Sequence, residues 1–249
     1  MITGATSGFG KACAQIFAKN KWNLILTGRR LERLEELKFE LNPLGVNIII
    51  LNFDIRDVKA VKEAVLEIPA EVFSKIEILI NNAGLAAGRD AIQDGDLDDW
   101  EAMIDTNIKG LLYISQEIIP AMLTNRSGHI VNISSIAGKE VYPSGNVYCA
   151  TKHAVDAISK SMRMDLVQHG IKVTNIAPGA AETEFSLVRF KGNENMAKQV
   201  YQGFTPLSGQ DIAEIIYFAT SLPKHVCIND LVVTPTAQAS STLFNKNLS

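Results

Sequence analysis

Short apolar runs recur along the chain at Trp22–Thr27, Asn47–Asn52, Ile76–Asn81, His129–Ile133, Ile171–Ala177 and Leu231–Thr234. They are rich in Ile, Leu and Val and show no clean alternation with polar residues. Strands covered on both faces have this pattern. Between them, apolar positions fall at helical spacing over Arg30–Leu41, Val58–Glu67, Asp98–Met122, Asn146–His169 and Gln210–Leu222. A further amphipathic stretch follows a glycine-rich turn, with Ala12, Ile16, Phe17 and Ala18 among its apolar positions. Strand and helix in alternation predict an α/β fold, a doubly wound parallel sheet with helices on both faces. Residues 191–208 are the least regular stretch, punctuated by Gly192, Gly203 and Pro206, and read as a mobile loop or short helix. There is no internal repeat or linker, so residues 1–249 are expected to form a single domain.

Only Met1 and Ile2 precede the glycine turn, whereas a strand usually needs about five residues. The first strand is therefore expected to be very short, or else the chain lacks residues that belong to it. No signal peptide is expected ahead of it.

Charged residues make up 20% of the chain, with a net charge of −3. No basic stripe suggests nucleic acid, and no apolar run approaches a membrane span. Cys13, Cys149 and Cys227 are odd in number and widely spaced, which argues against a disulfide framework or a zinc site. The four histidines are scattered, so no metal is expected. A cytoplasmic protein with reduced thiols fits these features.

The glycine turn is Thr3-Gly4-Ala5-Thr6-Ser7-Gly8-Phe9-Gly10. Glycine lets a backbone adopt positive φ and approach a phosphate closely. The helix that follows offers free N–H groups and a positive dipole end to an anion. The gap between Gly4 and Gly8 departs from G-x-G-x-x-G, and a tight turn that binds nothing is the alternative. The second expected strand, the run Trp22–Thr27, ends in Thr27-Gly28-Arg29-Arg30, with no acid to bond an adenosine ribose. Two guanidiniums at a helix start conflict with its dipole, and a 2′-phosphate would relieve that conflict. These residues predict NADP rather than NAD, unless both arginines point to water and pair with Glu32 or Glu36.

Tyr148 stands four residues before Lys152, and Ser135 thirteen before Tyr148. A phenol titrates near ~10 and is a poor base at neutral pH. Lys152, one helical turn on, would stabilise the phenolate, and the Ser135 hydroxyl would hold a carbonyl or alcohol oxygen beside it.

Thr3–Gly10, Asn81-Asn82-Ala83-Gly84, Asn107, Ser135, Tyr148, Lys152 and Pro178-Gly179 stand in the order of the short-chain dehydrogenase/reductase family, which the chain resembles over nearly its whole length. Residues 142–148 and 182–192 resemble its NADP-dependent 3-hydroxy acid dehydrogenase branch, of serine or allo-threonine type. The resemblance implies a Rossmann-like fold, with Tyr148 as general acid/base and Lys152 also on the nicotinamide ribose. It implies Asp54 and Ile55 near the adenine, and Asn82, Ala83 and Gly84 along the middle of the cofactor. Pro178, Gly179, Ala181 and Thr183 would surround the nicotinamide, and Asn107 would hold a proton-relay water. A local helix kink is the alternative for Asn107.

A 3-hydroxy acid needs a cation for its carboxylate. Arg189 lies in the segment expected to cover the pocket, and a guanidinium takes a carboxylate in two bonds. The alternative is a surface arginine paired with Glu182 or Glu184. Ala180 and Ala181 leave room for a bulkier substrate. Two other functions stay open: a broad NADPH carbonyl reductase for apolar ketones, and a catalytically idle NADP-binding sensor or partner subunit. The family resemblance also implies a homotetramer. Ile108, Leu111, Leu112 and Ile118 on one helix, with Ala154, Val155, Ile158 and Met162 on another, offer apolar surface for it, unless the monomer buries them.

Overall fold

The structure is a computed structural model that describes residues 1–247. Its parallel strands are β1 (Leu24–Gly28), β2 (Ile48–Asn52), β3 (Ile78–Asn81), β4 (Gly128–Ile133), β5 (Ile171–Pro178) and β6 (Asp230–Val233). β1 pairs with β2, and β3, β4, β5 and β6 follow one another in a second group. Ile2 joins the two groups, with parallel bridges to both Leu26 and Ile80. Its N–H donates to Ile25 O at 2.8 Å and its carbonyl accepts from Thr27 N at 3.0 Å. On the other side, Thr3 N donates to Ile80 O at 3.0 Å. Ile2 thus bridges β1 and β3 at the centre of the sheet. The chain runs from it to one side through β1 and β2, then crosses to the other side at β3. Strand order reverses at Ile2, and ligands of open α/β sheets sit at such a switch point, beyond the carboxyl ends of the strands.

Successive strand residues point to opposite faces. Leu24, Leu26, Ile78, Ile80, Val131 and Ile133 pack with helices α1 (Gly8–Lys19), α2 (Leu31–Leu41) and α10 (Gly209–Thr220). Ile25, Leu79, Ile130 and Val173 pack on the other face with α3 (Val58–Leu66), α6 (Leu111–Asn125) and α7 (Asn146–Leu166). Coverage on both faces is why the strands show no polar alternation.

The helix expected over 98–122 is interrupted. α5 (Leu97–Ile104) passes into a π-helical turn at Asp105–Gly110 before α6 begins. Asn107 lies inside that turn, where the widened helix exposes a polar side chain to its neighbours. Of the two alternatives for residues 191–208, the structure shows a short helix, α9 (Glu194–Gln199), which with α8 (Glu184–Arg189) covers the mouth of the sheet. α8 is capped by the Thr183 hydroxyl, and Gly192 sits at φ 88° beyond it.

Of the eight apolar residues expected as tetramer surface, four lie inside this chain. Leu111, Ile118, Val155 and Met162 are buried in the core, while Leu112 is 41% exposed. The four buried ones fill the space between α6, α7 and the sheet and supply no argument for assembly.

Candidate active site

A cavity of about 1150 Å³ runs along the carboxyl ends of the strands. All the sequence-selected residues line it except Gly10 and Asn107, which stand behind its wall. Arg29, Arg30, Asp54 and Ile55 lie at one end, Asn82, Ala83 and Gly84 in the middle, and Ser135, Tyr148, Lys152 and Arg189 at the other.

The glycine turn is built for close approach. Gly4 and Gly8 have φ of 64° and 51°. A Cβ on Gly10 would collide with the Gly4 carbonyl and the Asn82 amide. Asn82 Nδ2 donates to Thr3 O at 2.8 Å and Gly4 O at 3.0 Å, which fastens the turn to the end of β3. α1 starts at Gly8 without a side-chain cap from Ser7, leaving N–H groups free for an anion.

At the arginine end, Arg29 is 3.6 Å from Asp54, which Arg56 also binds at 2.6 Å. Burial raises the Asp54 carboxyl, and the bonds from Arg56 more than offset it, so it stays below the usual range. Arg30 donates to the Thr6 hydroxyl at 2.7 Å and the Ser7 hydroxyl at 3.0 Å. Its remaining bond goes to Glu184 at 3.0 Å, and Arg33 joins the same carboxylate at 2.7 Å. Among the described residues neither Arg29 nor Arg30 pairs with Glu32 or Glu36; the acid that meets Arg30 comes from the distant α8.

Tyr148 and Lys152 are both buried on the first turns of α7. Burial pushes the Tyr148 phenol above its ordinary range, opposed chiefly by Arg189 and also by the Ser135 hydroxyl. Lys152 was expected to be that opposing cation. Instead its Nζ lies 5.9 Å from the centre of the tyrosine ring, whereas the Arg189 guanidinium carbon is 4.7 Å from it. Lys152 Nζ donates to Ile133 O at 2.9 Å, and burial lowers its pKa to about 8. Ser135 Oγ accepts from Ala137 N at 3.1 Å and donates to Pro178 O at 3.3 Å. Ser134 points away and donates to Lys152 O at 2.9 Å, holding the start of α7 against β4.

Asn107 is consumed by neighbours. Its Nδ2 donates to Leu85 O at 2.8 Å and Thr151 Oγ1 at 3.0 Å, and its Oδ1 accepts from Leu85 N at 2.9 Å. Both side-chain N–H groups are therefore engaged in joining the π turn, the 84–86 loop and α7.

Arg189 pairs with neither Glu182 nor Glu184. Its Nη2 donates to the Tyr142 hydroxyl at 2.8 Å, its face covers Tyr148 and Phe185, and its Nε is buried with no partner. Tyr142 and Phe185 line the cavity beside it. Sequence reasoning gave those two aromatics no role, although both fall inside the segments that carried the narrower resemblance. Arg33 was also missed; its position one turn after Arg30 was a usable signal. Nothing in the sequence pointed to residues 238–246, which close the far wall. There Gln238 Oε1 accepts from Ala180 N at 2.8 Å, and Ser241 N donates to Glu140 at 2.7 Å.

Among the described residues no group of His, Cys, Asp or Glu is placed to hold a metal, and no helix is long and apolar enough to cross a membrane. The cavity fits a dinucleotide phosphate: positive-φ glycines at a free helix N-terminus, no acid at the end of β1, and guanidiniums where a 2′-phosphate would lie.

The model of short chain dehydrogenases matches residues 1–193. Sulfoacetaldehyde reductase 2 of Chromohalobacter salexigens is 47% identical over 97% of this chain and 95% of its own. The NADP-dependent 3-hydroxy acid dehydrogenase YdfG of Escherichia coli (strain K12) is 43% identical over 98% of this chain and 97% of its own. The closed form of a serine dehydrogenase complexed with NADP+ superposes with a TM-score of 0.93, at 44% identity, covering 97% of this chain and 96% of that one. The glycine turn, the arginines after β1 and the Ser135, Tyr148 and Lys152 cluster thus sit in a chain that belongs to the short chain dehydrogenase/reductase family, as an NADP-dependent oxidoreductase.

Proposed function

We propose that this enzyme transfers a hydride between nicotinamide and a small anion whose alcohol or carbonyl lies on the carbon β to the acid group, a 3-hydroxy acid of serine or allo-threonine type being the first expectation. The observation that carries this reading is Arg189, a guanidinium in the pocket wall over the Tyr148 ring, with no acidic partner among the described residues. An apolar ketone has no use for such a cation, and a charge-assisted bond to a carboxylate does. An idle NADP binder has no use for Ser135, Tyr148 and Lys152 together on one wall.

Nicotinamide supplies the hydride acceptor or donor. In the oxidative direction Tyr148 takes the proton of the substrate hydroxyl as hydride leaves the same carbon; in reduction Tyr148 returns that proton to the oxygen. Ser135 orients the oxygen. Lys152, its Nζ held at the Ile133 carbonyl, would reach the nicotinamide ribose. Arg29 and Arg30 receive the 2′-phosphate, with Thr6 and Ser7 holding Arg30 in place.

A second reading has its own support. The relatives at 47% identity are named sulfoacetaldehyde reductases, and sulfoacetaldehyde carries its aldehyde on the carbon β to a sulfonate. Initial rates with NADP(H) decide between them: 3-hydroxy acids, sulfoacetaldehyde and its alcohol, and neutral ketones of matched size. A higher kcat/KM for neutral ketones than for either anion class would overturn the proposal.

A further inference from the structure

Arg30 and Arg33 converge on one carboxylate. Arg30 Nη1 donates to Glu184 at 3.0 Å, and Arg33 Nη1 donates to its two oxygens at 2.7 and 2.8 Å. Glu184 is the first residue of α8, the helix that ends in Arg189 and covers the cavity. Burial raises its carboxyl, and the bonds from the two arginines more than offset that, so it remains an anion at neutral pH.

Arg30 is not free to turn away. Its Nε and Nη2 are fixed by the Thr6 and Ser7 hydroxyls on the glycine turn. Two cations at the start of α2 oppose the helix dipole, and one anion relieves them. Glu184 is that anion, brought from 154 residues away in sequence. A cofactor 2′-phosphate directed at Arg30 would be a second one.

Two effects then oppose each other. The bridge from Glu184 steadies α8 over the cofactor, which favours binding. The same carboxylate repels a phosphate dianion and occupies its donors, which disfavours it. The side chains of the bridge are 42–43% exposed, and bridges of that kind contribute little. Repulsion acts on a doubly charged group and is the larger effect.

We propose that Glu184 is a built-in competitor of the cofactor's 2′-phosphate for Arg30, and so lowers the enzyme's preference for NADP(H) over NAD(H). This rests on the reading that Arg30 receives the 2′-phosphate.

The test is equilibrium binding to the whole chain by calorimetry. The ligands are NADPH, NADH and two probes without nicotinamide, adenosine 2′,5′-bisphosphate and AMP. In Glu184→Gln, NADPH and the bisphosphate should bind about three- to tenfold tighter, the size of one partly screened charge contact. NADH and AMP should stay within about twofold, and the gain should shrink in high salt. Unchanged or weaker binding of the two phosphorylated ligands overturns the proposal. A loss common to all four leaves Glu184 as a strut for α8 alone and overturns it too. Arg30→Ala keeps the failures apart: an unchanged NADPH-to-NADH ratio there removes the underlying reading, whatever Glu184→Gln does. Unchanged thermal unfolding of both variants excludes misfolding as the cause.

Discussion

The guanidinium carbon of Arg189 lies 4.7 Å from the centre of the Tyr148 ring, closer than Lys152 Nζ at 5.9 Å. One cation therefore faces both the candidate proton donor and the space where a substrate's acid group would sit. Its position joins two tasks: holding an anion and opposing the burial that raises the phenol pKa.

Arg189→Ala should lower kcat/KM for charged substrates about tenfold to a hundredfold, from the loss of a charge-assisted bond worth about 1.5–3 kcal/mol. A neutral substrate of the same size should lose much less, through the tyrosine pKa alone. Steady-state kinetics on matched pairs checks this. An equal loss for both would reduce Arg189 to a support for α8.

Tyr148→Phe should fold and bind NADP(H) while losing most turnover. The ring still packs against Phe185, 5.7 Å away, but the proton is gone. Cofactor titration together with kcat measures the two separately, and near-normal kcat would remove the phenol from the reaction.

Replacing Arg29 and Arg30 together by Ala should weaken NADPH far more than NADH, because only NADPH carries the 2′-phosphate. Fluorescence titration of both cofactors reads the ratio. Parallel losses would place the phosphate elsewhere.

His129 sets a pH limit on stability. Thr174 Oγ1 donates to Ile228 O at 2.7 Å, so its contact with His129 Nε2 at 2.7 Å needs the proton on Nε2. Nδ1 is left buried without a partner, and protonating it places an unpaired charge in the sheet. Burial, with help from Lys172, lowers the pKa from 6.5 to about 4. Between those values the unfolded chain takes up a proton that the folded one refuses, so stability rises with pH there and is lost as pH falls from 6.5 toward 4. The loss should approach roughly 3 kcal/mol, and His129→Gln should flatten it. Urea midpoints across this range check the sign; a wild-type profile no steeper than the variant's would refute it.

A homotetramer is the expected assembly, on family resemblance. The faces available for it are those the single chain leaves open, such as Met164 and Val167 at the end of α7 and Phe218 on α10. Light scattering that shows only monomer at micromolar concentration would contradict it.

Local sequence determined a good deal. The strands and most helices were legible because apolar spacing reports the faces that must be covered, and a doubly covered strand carries an unbroken apolar run. Gly4 and Gly10 were legible because a turn that brings backbone against backbone excludes a Cβ, and Gly8 because the turn needs a positive φ. Tyr148 and Lys152 were paired by helical spacing, and Arg29 and Arg30 were marked by sitting where the dipole opposes them. Other features were set only when distant segments met. Ile2 bridges the two halves of the sheet because β1 and β3 flank it and satisfy its backbone. Glu184, rather than Glu32 or Glu36, met Arg30 because α8 folds back over the cavity mouth. The cation nearest the centre of the tyrosine ring is Arg189 rather than Lys152, because Lys152 is drawn to the Ile133 carbonyl while the lid lays Arg189 on the ring. Spacing along a chain gives neighbours within one element; which charge meets which across a cavity depends on how elements far apart in sequence close over it.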